Sequence, residues 1–245
     1  MNLILKSLLA NFCLLMAITV HAAQKSDTFT TPTGKNVTIT HIKHATMMIE
    51  YDGRYIFVDP VTRLKPETDF STYPRADVLI VTHEHLDHFD PLAIGQLGNN
   101  YTVYCLNSST YFHTQKGALL KNGDSLKVAS DIWVWAVPAY NTTPDHLNFH
   151  PKGRDNGYVL DIDGLRIYIA GDTEDIPEMA DLKNIDIAFL PCNQPYTMTI
   201  DQLVRAAKII KPKVLFPYHY GDTPVNQLMF RLAGTDIEVR IRDYK

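Results

Sequence analysis

The sequence contains few of the features that stabilise very small or extended proteins. It has only three cysteines and two tryptophans in 245 residues, and no low-complexity segment divides it. Hydrophobic residues make up 45% and charged residues 20% of the chain, which is ordinary for a folded globular protein. These values exclude a collagen-like repeat, a disordered chain and a disulfide-stapled miniprotein. A chain of this length can bury a core without structural metal ions, so any metal is expected to be functional.

The chain also lacks an excess of positive charge. It has 23 lysine and arginine residues against 27 aspartate and glutamate residues, which gives a formal net charge of −4. A nucleic-acid partner bound through an overall positive field is therefore not expected. We expect a small-molecule substrate, and the sequence leaves the oligomeric state open.

The first 22 residues predict a secretory signal peptide. Lys6 precedes the apolar run 7–20 (SLLANFCLLMAITV), and Ala22 supplies the small residue typical of a cleavage site. The run is shorter than a typical membrane span, although an uncleaved anchor is the alternative interpretation. We expect residues 23–245 to form one exported domain, periplasmic or secreted, with no membrane anchor after cleavage.

Two cysteines, Cys105 and Cys192, remain in the expected mature chain. An exported protein could pair them, but their spacing alone does not place two sulfur atoms within bonding distance. We interpret them as buried free thiols.

A weak internal repeat predicts two strand-rich halves. Two segments share an Asp-Gly pair between apolar runs, the pattern of a tight hairpin: 46–59 (TMMIEYDGRYIFVD) and 158–172 (YVLDIDGLRIYIAGD). Each is followed by an apolar run that begins with aspartate: 77–82 (DVLIVT) and 186–191 (DIAFLP). A duplicated half explains this recurrence more simply than two unrelated hairpins do.

Helices are fewer and shorter than strands in this pattern. Asp90 followed by Pro91 predicts a helix start over 90–97. Thr199 and Gln202 form a capping-box pattern at the start of the amphipathic stretch 200–210, before Pro212. The fold class is therefore α/β or α+β, with helices outside two strand-rich halves.

Metal-binding chemistry is concentrated in residues 83–88 (HEHLDH), directly after the apolar run 77–82. Alternation sends His83 and His85 to one side, while the following turn can bring Asp87 and His88 around a second point. Neutral imidazole and carboxylate groups suit zinc and its neighbours among the divalent metals. The segment therefore predicts a metal centre at the end of a buried strand.

This segment resembles the His-x-His-x-Asp-His motif of the metallo-β-lactamase-fold hydrolases, and later segments extend the resemblance. Segment 169–173 (IAGDT) resembles the one carrying the bridging aspartate of that family, and 217–221 (PYHYG) resembles the one carrying its last metal histidine. Segments 43–45 (KHA) and 55–60 (YIFVDP) are similar to the branch that includes ascorbate-6-phosphate lactonase-like enzymes. The resemblance implies an αββα sandwich of two mixed β-sheets flanked by helices, with the metals at one edge.

The resemblance also implies a set of metal ligands and a reaction. The implied ligands are His83 and His85 for a first ion, Asp87, His88 and His219 for a second, and Asp172 as the bridge. Two zinc ions are expected, with manganese or iron as alternatives. A metal-bound hydroxide would cleave an ester, lactone, phosphodiester or related bond. Asp87 is the expected catalytic residue, which orients the hydroxide or takes its proton.

One departure from the family pattern concerns the first ion. Many relatives have another histidine where segment 138–142 (PAYNT) places Asn141, which would be a weaker oxygen donor. His146 and His150 in the following loop are candidate substitutes. His44 is a candidate pocket or metal residue, and Asp59 is expected to support a ligand imidazole.

Two alternatives to this activity remain open, and Asn141 motivates the first of them. One is a metal-binding or ligand-sensing protein of the same fold with little turnover. The other is a β-lactamase, against which Asn141 and the lactonase-like segments weigh.

Overall fold

The structure is a computed structural model that describes residues 25–114 and 117–244. The predicted signal peptide, residues 1–22, lies outside the described residues. Within them, the strands form two seven-stranded mixed sheets, and helices accompany both. The predicted αββα architecture is confirmed.

The two sheets follow one another along the chain. The first contains β1 (Ser26–Thr30), β2 (Asn36–Lys43), β3 (Thr46–Tyr51), β4 (Arg54–Val58), β5 (Val78–Val81), β6 (Val103–Leu106) and β7 (Ala118–Leu119). The second contains β8 (Ser125–Ala129), β9 (Ile132–Ala139), β10 (Asp155–Ile162), β11 (Leu165–Ile169), β12 (Ile187–Pro191), β13 (Val214–Tyr218) and β14 (Glu238–Val239). The α-helices of the described residues are α1 (Pro91–Leu97), α2 (Ser108–Thr114), α3 (Ile200–Ile210) and α4 (Leu228–Arg231).

Both sheets have the same strand pattern. Strands β1 to β4 pair antiparallel in sequence order, and β4 to β7 pair parallel. Strands β8 to β11 and then β11 to β14 repeat this pattern. The predicted hairpins are β3–β4 and β10–β11, with Asp52 and Asp163 at positive φ in their turns. The prediction of two duplicated strand-rich halves is confirmed.

The central strands are buried on both faces, as is typical of strands in parallel pairings. In β4, Ile56 and Val58 belong to the main core, which contains residues of both sheets, whereas Phe57 packs in a second cluster with residues of α1. The Asp90 carboxylate accepts a hydrogen bond from the Leu92 N–H at 3.0 Å and caps α1. The predicted start of α1 is therefore confirmed.

Helix α3 has the bounds that the sequence predicts. Thr199 and Gln202 form the reciprocal capping box at its start. It ends at Ile210, and the capping residue Lys211, whose φ is 54°, precedes Pro212. No helix among the described residues is both long enough and apolar enough to cross a membrane.

Cys105 and Cys192 are buried free thiols, as predicted. Burial raises the pKa of each thiol to about 12, because the charged thiolate is poorly solvated there. Both therefore stay protonated and unreactive near neutral pH.

Candidate metal centre

The polar segment 83–88 begins just after β5 and folds back on itself. The His88 N–H donates to the His85 carbonyl oxygen at 2.9 Å, which turns the chain within the motif. Asp172 follows β11, His219 follows β13, and His44 lies between β2 and β3. The ends of strands from both sheets thus deliver these side chains to one edge of the sandwich.

The first cluster consists of His83, His85 and His150. Their ring centroids are 4.6 to 4.9 Å apart. One ligand atom from each ring lies within 4.8 Å of the others, a spacing that allows all three to hold one metal ion. His150, which the sequence offered as one of two loop candidates, therefore lies with the first pair of the motif.

The second cluster consists of His44, Asp87, His88 and His219, and their ligand atoms also lie within 4.8 Å of one another. Asp87 Oδ2 lies 3.0 Å from His44 Nε2 and 3.3 Å from His219 Nε2. Its distance from His88 Nε2 is 3.9 Å. His44, which the sequence left as a pocket or metal residue, thus lies within hydrogen-bond distance of Asp87, one of the ligands expected for a second ion.

Asp172 lies between the two clusters. Its Oδ1 is 3.3 Å from His88 Nε2, and its Oδ2 is 3.3 Å from His219 Nε2. Oδ2 is also 3.4 Å from His150 Nε2 and 4.0 Å from His83 Nε2. One carboxylate therefore faces imidazoles of both clusters, the position expected of a bridging group.

Each cluster combines side chains from both halves of the chain. In the first, His83 and His85 follow a strand of the first sheet, and His150 lies between two strands of the second. In the second cluster, Asp87 belongs to the first half and His219 to the second.

Hydrogen bonds at the outer ring nitrogens orient several of these imidazoles. Asp59 Oδ2 lies 2.8 Å from His88 Nδ1 and accepts a hydrogen bond from the Thr82 hydroxyl at 2.7 Å. Thr82 Oγ1 lies 3.0 Å from His83 Nδ1. Such partners fix the ring orientation of metal-ligating histidines.

Sequence reasoning missed Thr82 in this role, and it also missed Asp155. Asp155 Oδ2 lies 3.0 Å from His150 Nδ1, and the Arg154 guanidinium donates to both Asp155 oxygens at 2.7 and 2.9 Å. Arg154 Nη2 also lies 3.5 Å from His85 Nε2. Nothing in the local pattern distinguishes Asp155 from an ordinary strand-edge aspartate.

Three residues around the centre have left-handed backbone conformations. The φ angles are 49° for His44, 43° for Asp59 and 46° for His219. Residues other than glycine rarely adopt this region, and the surrounding structure must stabilise it. The His219 N–H donates to the His44 carbonyl oxygen at 3.0 Å, which links two of these residues directly.

The other two loop candidates lie in a hydrogen-bonded loop between β9 and β10. Asn141 is buried, and its side-chain amide donates to the carbonyl oxygens of His146 and Tyr196 at 3.2 and 2.8 Å. His146 Nδ1 lies 3.1 Å from Glu174 Oε1. His146 belongs to neither cluster of the described residues, whereas His150 belongs to the first.

The charges of the centre favour a bound cation. Burial would raise the pKa of Asp172, but His219 and His88 hold it well below its usual range. Burial likewise opposes ionisation of Asp87, yet its hydrogen bonds with His219 and His44 lower its pKa. Both carboxylates are therefore ionised near neutral pH.

The imidazoles divide into two groups. Burial lowers the pKa of His83 well below its usual value, and burial also lowers that of His85. Burial would lower the pKa of His88 too, but the carboxylates of Asp172 and Asp59 raise it well above its usual value. Burial also lowers the pKa of His44 in the second cluster. His83 and His85 thus offer neutral nitrogen donors, whereas the carboxylates beside His88 attract positive charge.

Buried donor atoms without partners test whether a metal ion fits. Among the described residues, six of the buried side-chain atoms that lack a hydrogen-bond partner belong to the two clusters and to Asp172. They are Nε2 of His83, His88, His150 and His219, Nδ1 of His219, and Oδ1 of Asp172. Buried polar atoms are rarely left unsatisfied. A metal ion at each cluster would satisfy all of these atoms except His219 Nδ1, so the residues fit bound metal ions.

Comparison with known proteins identifies the family. The family model described as the Beta-lactamase superfamily domain matches residues 38–219, which is most of the chain. The chain belongs to the β-lactamase superfamily. The fold and the order of the motifs that the sequence analysis expected agree with this membership.

More similar proteins refine the membership. A UPF0173 metal-dependent hydrolase from Archaeoglobus fulgidus is 30% identical over 222 residues, covering 83% of this chain and 94% of the relative. The chain therefore also belongs to the UPF0173 metal-dependent hydrolases, enzymes of the metallo-β-lactamase superfamily. The resemblance to the ascorbate-6-phosphate lactonase branch stays a prediction.

Solved structures support the same assignment. A crystal structure from Parabacteroides distasonis, of a candidate metal-dependent hydrolase, is 52% identical with a TM-score of 0.87. The match covers 91% of this chain and all of that one. Igni18, a metallo hydrolase from Ignicoccus hospitalis, is 26% identical with a TM-score of 0.71, over 84% of this chain and 95% of its own.

Proposed function

We propose that this metal-dependent hydrolase is a dinuclear zinc enzyme that cleaves an ester, lactone, phosphodiester or related bond in a small molecule. The observation that carries the proposal is a pair of donor clusters that share one buried carboxylate, Asp172. Their unpartnered ring nitrogens support occupation by metal ions.

The donor set supports an assignment of ligands to each ion. His83, His85 and His150 would hold the first ion, and Asp87, His88 and His219 the second, with Asp172 shared. Imidazole and carboxylate donors in small numbers favour zinc. Manganese and iron accept the same donors and are the alternatives that metal analysis distinguishes.

Ions held there would activate water for attack and stabilise negative charge that develops on the substrate oxygen. Asp87 is the carboxylate of the centre that reaches solvent, with a side chain that is 36% exposed against 3% for Asp172. We assign Asp87 to orient the attacking water and to accept its proton at a carboxylate oxygen. His44 Nε2, 3.0 Å from Asp87 Oδ2, holds that carboxylate in place.

The alternative of a metal-binding or sensing protein with little turnover came from Asn141. His150 weakens that reason, because it supplies a third imidazole beside His83 and His85. A β-lactamase is an alternative that differs only in the substrate. The assay panel described next therefore includes β-lactams.

The test begins with protein purified without chelator. Its metal content is measured, and the stripped protein is reloaded with zinc, manganese or iron. Each form is then assayed on a panel of aryl esters, lactones, phosphodiesters and β-lactams. We expect two ions per chain and metal-dependent turnover of at least one ester, lactone or phosphodiester.

Two histidine variants provide a matched comparison. His219→Ala removes a proposed ligand and should abolish turnover, whereas His113→Ala changes a histidine of α2 outside both clusters and should retain it. Metal binding without turnover of any substrate would favour the sensing protein, and turnover of β-lactams alone would favour the β-lactamase. Protein that binds no metal would contradict the proposal.

A further inference from the structure

A buried carboxylate outside the two clusters gathers an unusual number of hydrogen bonds. Glu174 is fully buried, and its Oε2 accepts from the backbone N–H groups of Thr142 and Thr143 at 2.8 and 2.7 Å. The same oxygen accepts from the hydroxyls of Thr142 and Thr143 at 2.8 and 2.9 Å. His146 Nδ1 lies 3.1 Å from the other oxygen.

These contacts keep the carboxylate charged. Backbone and side-chain donors of Thr142 and Thr143 meet one of its oxygens, and the His146 ring meets the other. A buried ionised carboxylate is stable only when such donors surround it. These hydrogen bonds therefore hold Thr142, Thr143 and His146 around a single carboxylate.

That segment is the first half of the loop that carries His150. The loop leaves β9 after Ala139, and the Asn141 N–H donates to the His150 carbonyl oxygen at 2.8 Å, which closes it. A second hydrogen bond holds the start of the loop: the Glu174 N–H donates to the Tyr140 carbonyl oxygen at 3.0 Å. His150 is thus placed by a loop, unlike His83 and His219, which directly follow β-rich segments.

Glu174 also lies two residues after Asp172 on the chain. Asp172 faces both clusters, and Glu174 holds the loop that brings the third imidazole to one of them. We propose that Glu174 is a positioning residue that sets His150 at the distance needed to complete the first metal site. This rests on the proposed function, because it assigns His150 as a ligand of the first ion.

The side-chain chemistry suggests a pair of contrasting variants. Glu174→Leu removes the acceptors and leaves the threonine donors of the loop facing an apolar group. Glu174→Gln keeps one oxygen for those donors and turns its amide toward His146 Nδ1, which accepts in its other tautomer. We therefore expect Gln to preserve the loop and Leu to release it.

The experiment is a calorimetric titration of chelator-stripped protein with zinc. Wild type and Glu174→Gln should bind two ions with similar affinities. In Glu174→Leu, one of the two ions should bind at least about tenfold more weakly while the other is unchanged. Glu178→Leu is the matched control: its carboxylate bonds Tyr140 and Lys152 instead of the threonines, so both affinities should remain.

A double variant separates positioning from general destabilisation. If Glu174 acts through His150, the weaker ion should bind equally poorly in His150→Ala and in His150→Ala/Glu174→Leu. Additive losses in the double variant would overturn the proposal, and so would unchanged zinc affinities in Glu174→Leu.

A milder variant covers the case in which Glu174→Leu does not fold. Thr142→Val with Thr143→Val removes only the two hydroxyl donors and should weaken the same ion by a smaller factor; no weakening would overturn the role of Glu174. A wild-type protein that binds no zinc would contradict the proposed function, and the role of Glu174 with it. Wild type with two ions and an unaffected Glu174→Leu would contradict the role of Glu174 alone.

Discussion

His150 and Asp172 meet across the β10–β11 hairpin, with His150 Nε2 3.4 Å from Asp172 Oδ2. His150 precedes β10 and Asp172 follows β11. Because the two strands are antiparallel, the start of one and the end of the other lie at the same edge of the sheet. The hairpin thus brings a loop histidine to the carboxylate that both clusters share.

Asp172→Asn should lower the content of both metal ions, because the shared carboxylate faces donors of both clusters. The amide has the same shape but lacks the charge. Metal content per chain is measured after dialysis against a weak chelator. Asp236→Asn changes an exposed aspartate and should leave the content at the wild-type value. If Asp172→Asn retained both ions, Asp172 would not be a ligand shared by the two metal sites.

Asp59→Ala should destabilise the metal-free protein. Asp59 accepts from the Thr82 N–H and hydroxyl and lies 2.8 Å from His88 Nδ1, all of them buried. Leaving such groups without a partner costs about 3 kcal/mol in the free energy of unfolding. Urea unfolding of chelator-treated protein measures this loss. An equal loss in Asp236→Ala would mean that Asp59 has no special role.

The stability of the wild type should depend on pH through Glu174. Its pKa is about 2 in the folded state against 4.5 ordinarily, so its stabilising effect is complete above about pH 4.5 and disappears as the pH falls toward 2. Glu174→Gln lacks this ionisation. Urea unfolding between pH 5.5 and 3 should therefore show a steeper loss in wild type than in Glu174→Gln, and parallel curves would contradict the assignment.

We expect the enzyme to prefer substrates that carry an apolar substituent. Leu86 and Leu147 lie near the first cluster along the chain and are 69% and 44% exposed, and Tyr196, whose ring contacts Phe149, is 45% exposed. Phe149, next to His150, packs edge to face on Tyr196 at 5.0 Å. Exposed apolar groups beside a reactive centre favour an apolar substituent.

Tyr196→Ala tests this preference by removing the ring. It should reduce kcat/KM for an aryl octanoate roughly tenfold while sparing the aryl acetate. Phe230→Ala, on the exposed α4, is the control and should change neither value. An equal effect on both esters would refute the preference.

We propose that the protein acts outside the cytosol, with a mature chain that begins at Ala23 or Gln24. Small residues precede both junctions, after the apolar run 7–20. N-terminal sequencing of protein from the extracytoplasmic fraction checks this. A chain that starts at Met1 would contradict cleavage.

The sequence predicted the parts of the structure that depend on local pattern. The Asp-Gly turns, the cap at Asp90 and the bounds of α3 depend on residues close in sequence, and each was found as expected. Residues 83–88 lie within one turn after β5, so the proximity of their side chains could also be predicted from the sequence.

The completion of the first cluster could not be predicted in the same way. The sequence offered Asn141, His146 and His150 without deciding among them. The choice depends on how the loop folds over Glu174, a carboxylate that is distant in sequence and bears no recognisable motif. Long-range hydrogen bonds of this kind leave no periodic signal in the chain.

Because each cluster takes donors from both duplicated halves, ions bound there would act as cross-links between the two sheets. Their binding free energy would then be added to the docking of one half on the other. Removal of the ions would weaken the contact between the halves before it disrupted either sheet internally. The edge of the sandwich that binds the ions would therefore also hold the two sheets together.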